Sequence, residues 1–271
     1  VPRLKTNGVE LHWERAGAGD PVLLVHGLLY SGESWARQVE RLASDFTVYT
    51  VDLRGQGRSE TTPEQAGYDL WNQAEDVYGL IQGLGIAGCH YAGLSMGGMI
   101  GMRMLLRHPG TVRSLALVDT SADPEPEAGR DITEAFATTL ESGFLEQIVP
   151  SMPAIWYGDE FVAAHPEVVD AWADRWRAAD QRGLALACRG VCRRDDISDQ
   201  VSVLRLPTMV IHGTADVPVE PHHAERLASL IPGAELRWIE GAGHMSCIDH
   251  PEEVGALLSE HFSRVAAMSP T

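Results

Sequence analysis

Short runs of β-branched and apolar residues alternate along the chain with longer segments whose apolar positions recur three and four residues apart. The first kind predicts strands near 9–15, 21–26, 46–52, 88–94, 112–119, 207–212 and 234–240. The second predicts helices over 34–43, 69–84, 96–107, 222–231 and 251–266, with Leu70, Ala74, Val77, Ile81 and Leu84 marking one such face. Strand followed by helix, repeated, implies the α/β class, with a mostly parallel twisted sheet covered by helices on both faces. The alternation stops over 121–200, where no strand-like run occurs and Trp, Ala, Pro and acidic residues dominate. Pro124, Pro126, Pro150 and Pro153 would divide that stretch into short helices. The expected organisation is therefore a core from 1–120 and 201–271, with 121–200 inserted as a helical cap over the site.

Composition narrows the function classes. The 271 residues are 44% apolar and 22% charged, as in a globular protein long enough to bury a full core. Twenty-one basic against 38 acidic residues leave a net charge of −17, a field that opposes phosphate backbones and anionic membrane surfaces. Neither nucleic acid nor membrane is expected as a partner. No apolar run approaches the ~20 residues of a membrane span, and no leader-like pattern opens the sequence. The four cysteines, at 89, 188, 192 and 247, lack the paired short spacing of a zinc site and are too few for a disulfide scaffold, so the expected setting is a reducing cytoplasm.

Candidate chemistry begins at Gly93-Leu94-Ser95-Met96-Gly97, between a predicted strand and a predicted helix. A serine at such an elbow projects from the sheet edge, and the flanking glycines allow the close backbone approach that the turn needs. A serine hydroxyl requires a base, and the base requires a group that holds its tautomer. His244, in the loop Gly241-Ala242-Gly243-His244 after the last strand, is the candidate base. Asp216, closing the strand and turn from Thr208 onward, is the candidate acid, with Asp119 at the end of an earlier strand as its rival. The order Ser95, Asp216, His244 is the one this type of fold uses. Two backbone N–H donors should face the developing oxyanion: Met96, after the nucleophile, and Leu28, in the loop Val25-His26-Gly27-Leu28-Leu29. His26 reads as a structural hydrogen bonder of that loop. Leu29, Trp156, Trp172 and Met245 are candidate pocket residues; Trp172 and Trp176, four apart, share one helix face, where packing of the insertion onto the body is an equal reading. His222-His223 has no neighbouring cluster of ligands, so no metal and no cofactor are expected.

His26-Gly27, the run Asp52-Leu53-Arg54-Gly55-Gln56-Gly57-Arg58-Ser59, the serine elbow, His212 to Asp216 and Gly243-His244 together resemble the α/β-hydrolase superfamily over nearly the whole chain. Gly93 to Met99 is similar to the branch of enol-lactonases, small carboxylesterases and N-acyl-homoserine lactonases. The resemblance implies a cofactor-free hydrolase acting on a small ester or lactone, and gives Asp52 to Ser59 a structural role. Carbon–carbon hydrolysis, perhydrolysis and slow-turnover ligand reception use the same triad and stay open.

Overall fold

A computed structural model describes residues 2–268; residue 1 and residues 269–271 of the expected core lie outside the described residues. Eight strands form one sheet: β1 (Arg3–Thr6), β2 (Val9–Gly17), β3 (Asp20–Val25), β4 (Phe46–Val51), β5 (Cys89–Leu94), β6 (Val112–Val118), β7 (Thr208–Gly213) and β8 (Glu235–Ile239). Their order is β1-β2-β4-β3-β5-β6-β7-β8; β1–β2 and β2–β4 pair antiparallel and every other neighbour pairs in parallel. The sheet is therefore mostly parallel, and its central strands are buried on both faces, which explains their continuous apolar runs.

The helices are α1 (Ala36–Leu42), α2 (Leu70–Leu84), α3 (Met96–Arg107), α4 (Glu127–Glu141), α5 (Leu145–Ile148), α6 (Pro153–Trp156), α7 (Asp159–Ala164), α8 (Pro166–Ala178), α9 (Gln181–Cys192), α10 (Pro221–Leu230), α11 (Ser246–Asp249) and α12 (Pro251–Met268). The period-2 alternation of β3 sends its side chains to two cores. Val22 and Leu24 join Leu42 of α1 and Leu258 and Phe262 of α12, whereas Leu23 and Val25 join the buried faces of α2, α3 and α10.

Between β6 and β7 the chain is helical from α4 to α9. Prolines set its breaks: Pro126 precedes α4, while Pro153 and Pro166 open α6 and α8, where the missing N–H costs nothing. Asp180 caps α9, accepting from the N–H of Arg182 at 3.0 Å. Ala137, Leu140, Trp172 and Trp176 from this segment join the same core as α1 and α12, so the insertion is packed onto the body.

Candidate active site

The parallel strands end on one edge of the sheet, and the loops after β3, β5, β7 and β8 meet there. Ser95 stands between β5 and α3 with φ +51° and ψ −116°, a conformation costly for a residue with a side chain. The turn is possible because its flanks are bare. A Cβ on Gly93 would lie 2.4 Å from the Gly97 carbonyl oxygen, and one on Gly97 2.4 Å from that of Val25. The Ser95 N–H donates to Val118 and its carbonyl accepts from the Thr120 hydroxyl, which holds the strained turn from the β6 side.

The Ser95 hydroxyl lies 2.8 Å from His244 Nε2, and His244 Nδ1 lies 2.9 and 2.8 Å from the two Asp216 carboxylate oxygens. All three side chains are buried, Ser95 being 7% exposed. With Nδ1–H donated to Asp216, Nε2 is left to accept the serine proton. The Val219 N–H donates to Asp216 Oδ1 at 2.9 Å, so the carboxylate is held from behind as well.

Opposite Ser95, Gly27 packs so closely that a Cβ there would sit 3.2 Å from Ser95 Cβ. His26 Nδ1–H donates to the Gly27 carbonyl at 2.7 Å, and its Nε2 accepts from the Leu53 N–H at 2.9 Å. Burial lowers the basicity of His26 against the pull of Asp52, in keeping with a neutral ring that donates on one side and accepts on the other. Binding the Gly27 oxygen turns the Leu28 N–H, on the same trans peptide, the opposite way. Among the described residues no group accepts from the Leu28 or the Met96 N–H.

Residues 20–169 match the family model described as the alpha/beta hydrolase fold. The chain belongs to the α/β-hydrolase family. It is 30% identical over 250 residues to the carbamate-hydrolase candidate RutD of Rhizobium rhizogenes, covering 90% of this chain and 94% of that protein. A thermophilic esterase from Thermogutta terrifontis superposes with a TM-score of 0.91 at 30% identity, over 98% of this chain and 99% of that one. An enol-lactonase from Burkholderia xenovorans LB400 gives 0.88 at 27% identity, over 97% and 100%. This α/β hydrolase is therefore an enzyme of the hydrolase class. No helix among the described residues is long and apolar enough to cross a membrane.

Among the described residues Asp119, the rival acid, forms no hydrogen bond or ion pair with His244. Its Oδ1 accepts from the Gly213 N–H at 2.9 Å and its Oδ2 from the Ser246 hydroxyl at 2.5 Å, which ties the end of β7 to the loop carrying His244. Burial, reinforced by the neighbouring Asp216 charge, pushes its carboxyl well above the usual carboxylate range. Asp119, His212 and Asp216 each offer one ligand atom within 4.8 Å of one another, although these side chains are already engaged within the protein. His212 Nε2–H already serves the Val219 carbonyl at 2.8 Å, and an ion taking the Asp216 oxygens would displace His244.

Of the candidate pocket residues, Trp156 and Met245 adjoin the trio. The Trp156 ring lies 5.6 Å from that of His244, and its carbonyl accepts from the Met245 N–H at 2.8 Å. Leu29 follows Leu28, the candidate oxyanion donor, with φ +68°. Trp172 packs on Tyr30, 4.6 Å between ring centroids, and lines an outer groove of about 450 Å³ with Phe161, Val168 and Arg175.

Two further groups were not legible as site residues. Asp249 accepts from the Gly243 and Gly158 N–H groups at 2.7 and 3.2 Å, fastening the insertion to the His244 loop, and no local motif or periodicity marks it in the sequence. Tyr30 donates to the Tyr157 hydroxyl at 3.0 Å and is ringed by Trp156, Trp172 and Trp176. Its place after the Gly27 turn was the available signal.

Proposed function

We propose that this α/β hydrolase cleaves carboxylic esters and lactones without a cofactor, through an acyl-enzyme on Ser95. Ser95 Oγ attacks the carbonyl carbon while His244 Nε2 takes its proton; His244 then returns that proton to the leaving oxygen, and Asp216 steadies the intervening imidazolium. The Leu28 and Met96 N–H groups hold the oxyanion, each worth about 3–4 kcal/mol of barrier. A water deprotonated by His244 releases the acid. In a lactone the leaving alcohol stays tethered, so ring closure competes with deacylation. The observation that carries this reading is the unbroken line from Ser95 Oγ to His244 to Asp216, 2.8 Å at both links.

The helices of 121–200 serve in this reading as a cap, with Trp156 and Met245 at the acyl side of the pocket. A net charge of −17, of which the cap region 123–200 carries 7 − 16 = −9, disfavours anionic substrates at close range. Neutral p-nitrophenyl esters and N-acyl-homoserine lactones should therefore have higher kcat/KM than 3-oxoadipate enol-lactone. Arg175, a cap arginine on the outer groove, is engaged by Glu33 at 2.7 Å and stacks on Trp172. The test combines Ser95→Ala with a fluorophosphonate. Loss of nearly all ester turnover and labelling at Ser95 are expected, and normal turnover in the variant or labelling elsewhere would sink the mechanism. The reverse substrate ranking would overturn the charge argument alone.

A further inference from the structure

Leu29 is a leucine in the left-handed region, φ +68°, one residue beyond a proposed oxyanion donor, and nothing in its own chemistry favours that conformation. Two buried side chains hold it there, from opposite parts of the molecule. Gln56, 2% exposed in the loop after β4, accepts the Leu29 N–H on Oε1 at 2.7 Å. Trp176, 1% exposed on α8 of the insertion, donates its indole N–H to the Leu29 carbonyl at 3.1 Å. The peptide groups on both sides of the Leu29 Cα are thus pinned. Among the described residues the buried Gln56 amide nitrogen has no partner, and the one hydrogen bond of this side chain is the bond to Leu29.

We infer that Gln56 and Trp176 are the two positioning residues of the oxyanion hole, clamping Leu29 so that the preceding Leu28 N–H stays aimed at the reacting oxygen. The inference rests on the serine mechanism proposed above. His26 holds the carbonyl end of the Gly27–Leu28 peptide, and the same carbonyl accepts from the Tyr30 N–H at 3.4 Å, closing a turn whose third residue, Leu29, has the positive φ. Freed of either restraint, Leu29 relaxes toward negative φ and rotates the chain that carries the donor. The clamp also makes the insertion a working part of the site: seating α8 on the body supplies half of it. A donor displaced in this way is lost to the transition state but not to the neutral ground-state ester, so the deficit belongs in kcat.

The experiment uses the full-length enzyme with Gln56→Met, which removes the acceptor while keeping a linear side chain, and Trp176→Phe, which keeps an aromatic ring against Tyr30 but removes the N–H. Each should lower kcat for p-nitrophenyl butyrate about tenfold, less than outright removal of a donor, with KM within about twofold. Inhibition by a trifluoromethyl ketone should weaken by the same factor as kcat. In that adduct Ser95 Oγ adds to the carbonyl carbon, its proton passes to His244, and the negative oxygen occupies the hole. Because both residues act on one backbone position, the double variant should lose clearly less than the product of the single losses. Leu29→Gly, at ease with positive φ, should restore much of kcat in the Gln56→Met background. A role in folding alone would lower Tm and leave kcat and ketone affinity unchanged, and that result, or single losses that multiply with no rescue by glycine, overturns the clamp. If Ser95→Ala keeps wild-type turnover, the serine reading itself fails instead.

Discussion

Replacing Asp216 by asparagine distinguishes the two carboxylates near His244, and the structure sets the size of the effect. Asp216 Oδ1 accepts from the Val219 N–H at 2.9 Å, and Oδ2 faces His244 Nδ1 at 2.8 Å with His212 Nε2 3.4 Å away. An asparagine must place its NH2 at one of these positions, and each already faces a donor. With the oxygen kept on Val219, the amide nitrogen meets His244 Nδ1 and favours the tautomer protonated at Nε2, which then has no lone pair for the Ser95 proton. The charge that steadies the imidazolium is lost as well. Together these should lower kcat by about three to four orders of magnitude, or about 4–5.5 kcal/mol at 1.36 kcal/mol per decade. Asp119→Asn is the control. Its oxygens serve the Gly213 N–H and the Ser246 hydroxyl and N–H, none of them on His244, so an amide keeps the Gly213 bond and meets a Ser246 hydroxyl able to accept, at the cost of the 3.2 Å bond from the Ser246 N–H. A loss of less than about tenfold is expected, in line with a conservative change away from the reacting atoms. Steady-state hydrolysis of p-nitrophenyl butyrate by both variants, with thermal melts to show that they are folded, decides the matter. If Asp119→Asn were the more damaging of the two, the acid would belong to β6 and the tautomer reasoning would be wrong.

Two other measurements probe the frame around the trio. Asp249→Ala leaves the Gly243 and Gly158 N–H groups unpaired in a buried place, at about 1–3 kcal/mol each, so both Tm and kcat should fall; an unchanged kcat would show that the His244 loop keeps its place without the insertion. His90, on β5, is pushed down to about 4 by burial, so the folded chain keeps it neutral while the unfolded chain protonates it below about 6.5. Its contribution is then complete above that pH and is lost as pH falls toward 4, with a slope of at most about 1.4 kcal/mol per pH unit. The urea midpoint of wild type relative to His90→Gln should therefore narrow between pH 7.5 and 4.5. Using the difference cancels Asp119 and Asp249, whose raised carboxyls act in the opposite sense, and a constant difference refutes the assignment.

How far the molecule is legible from sequence follows from the range of the forces involved. The strands and helices that repeat along the chain are local periodicities, and the buried central strands amplify them, so the α/β class and the mostly parallel sheet could be read directly. β1 could not: Arg3–Thr6 is a four-residue edge strand whose residues remain exposed or half-buried, which leaves almost no hydrophobic signal. The serine elbow was visible because its glycines answer to contacts within a few residues, Gly93 against Gly97 being the clearest. Asp119 and Asp216 both end strands, and only the lateral register of β6, β7 and β8 brings one of them to His244 and the other to Ser246.

Long-range bonds of single side chains were beyond reach for the same reason. The four-residue spacing of Trp172 and Trp176 puts them on one face, but it cannot tell that one ring lies against Tyr30 beside an outer groove while the other gives its N–H to Leu29. Gln56 lies in a loop whose other members serve structure, through the Arg54–Asp76 ion pair at 2.7 Å and the Asp52 bond to the Gly32 N–H. That rigid loop is the reason Gln56 can hold a leucine at positive φ: a strained turn persists only where its surroundings over-determine it. The same condition applies to Ser95, held by Val118 and Thr120 from β6 and the turn after it. Both strained residues face one reacting centre, one carrying the proposed nucleophile and the other standing beside a proposed donor. Stability spent on these two turns is therefore stability converted into placement, which is where an enzyme of this fold has most to gain.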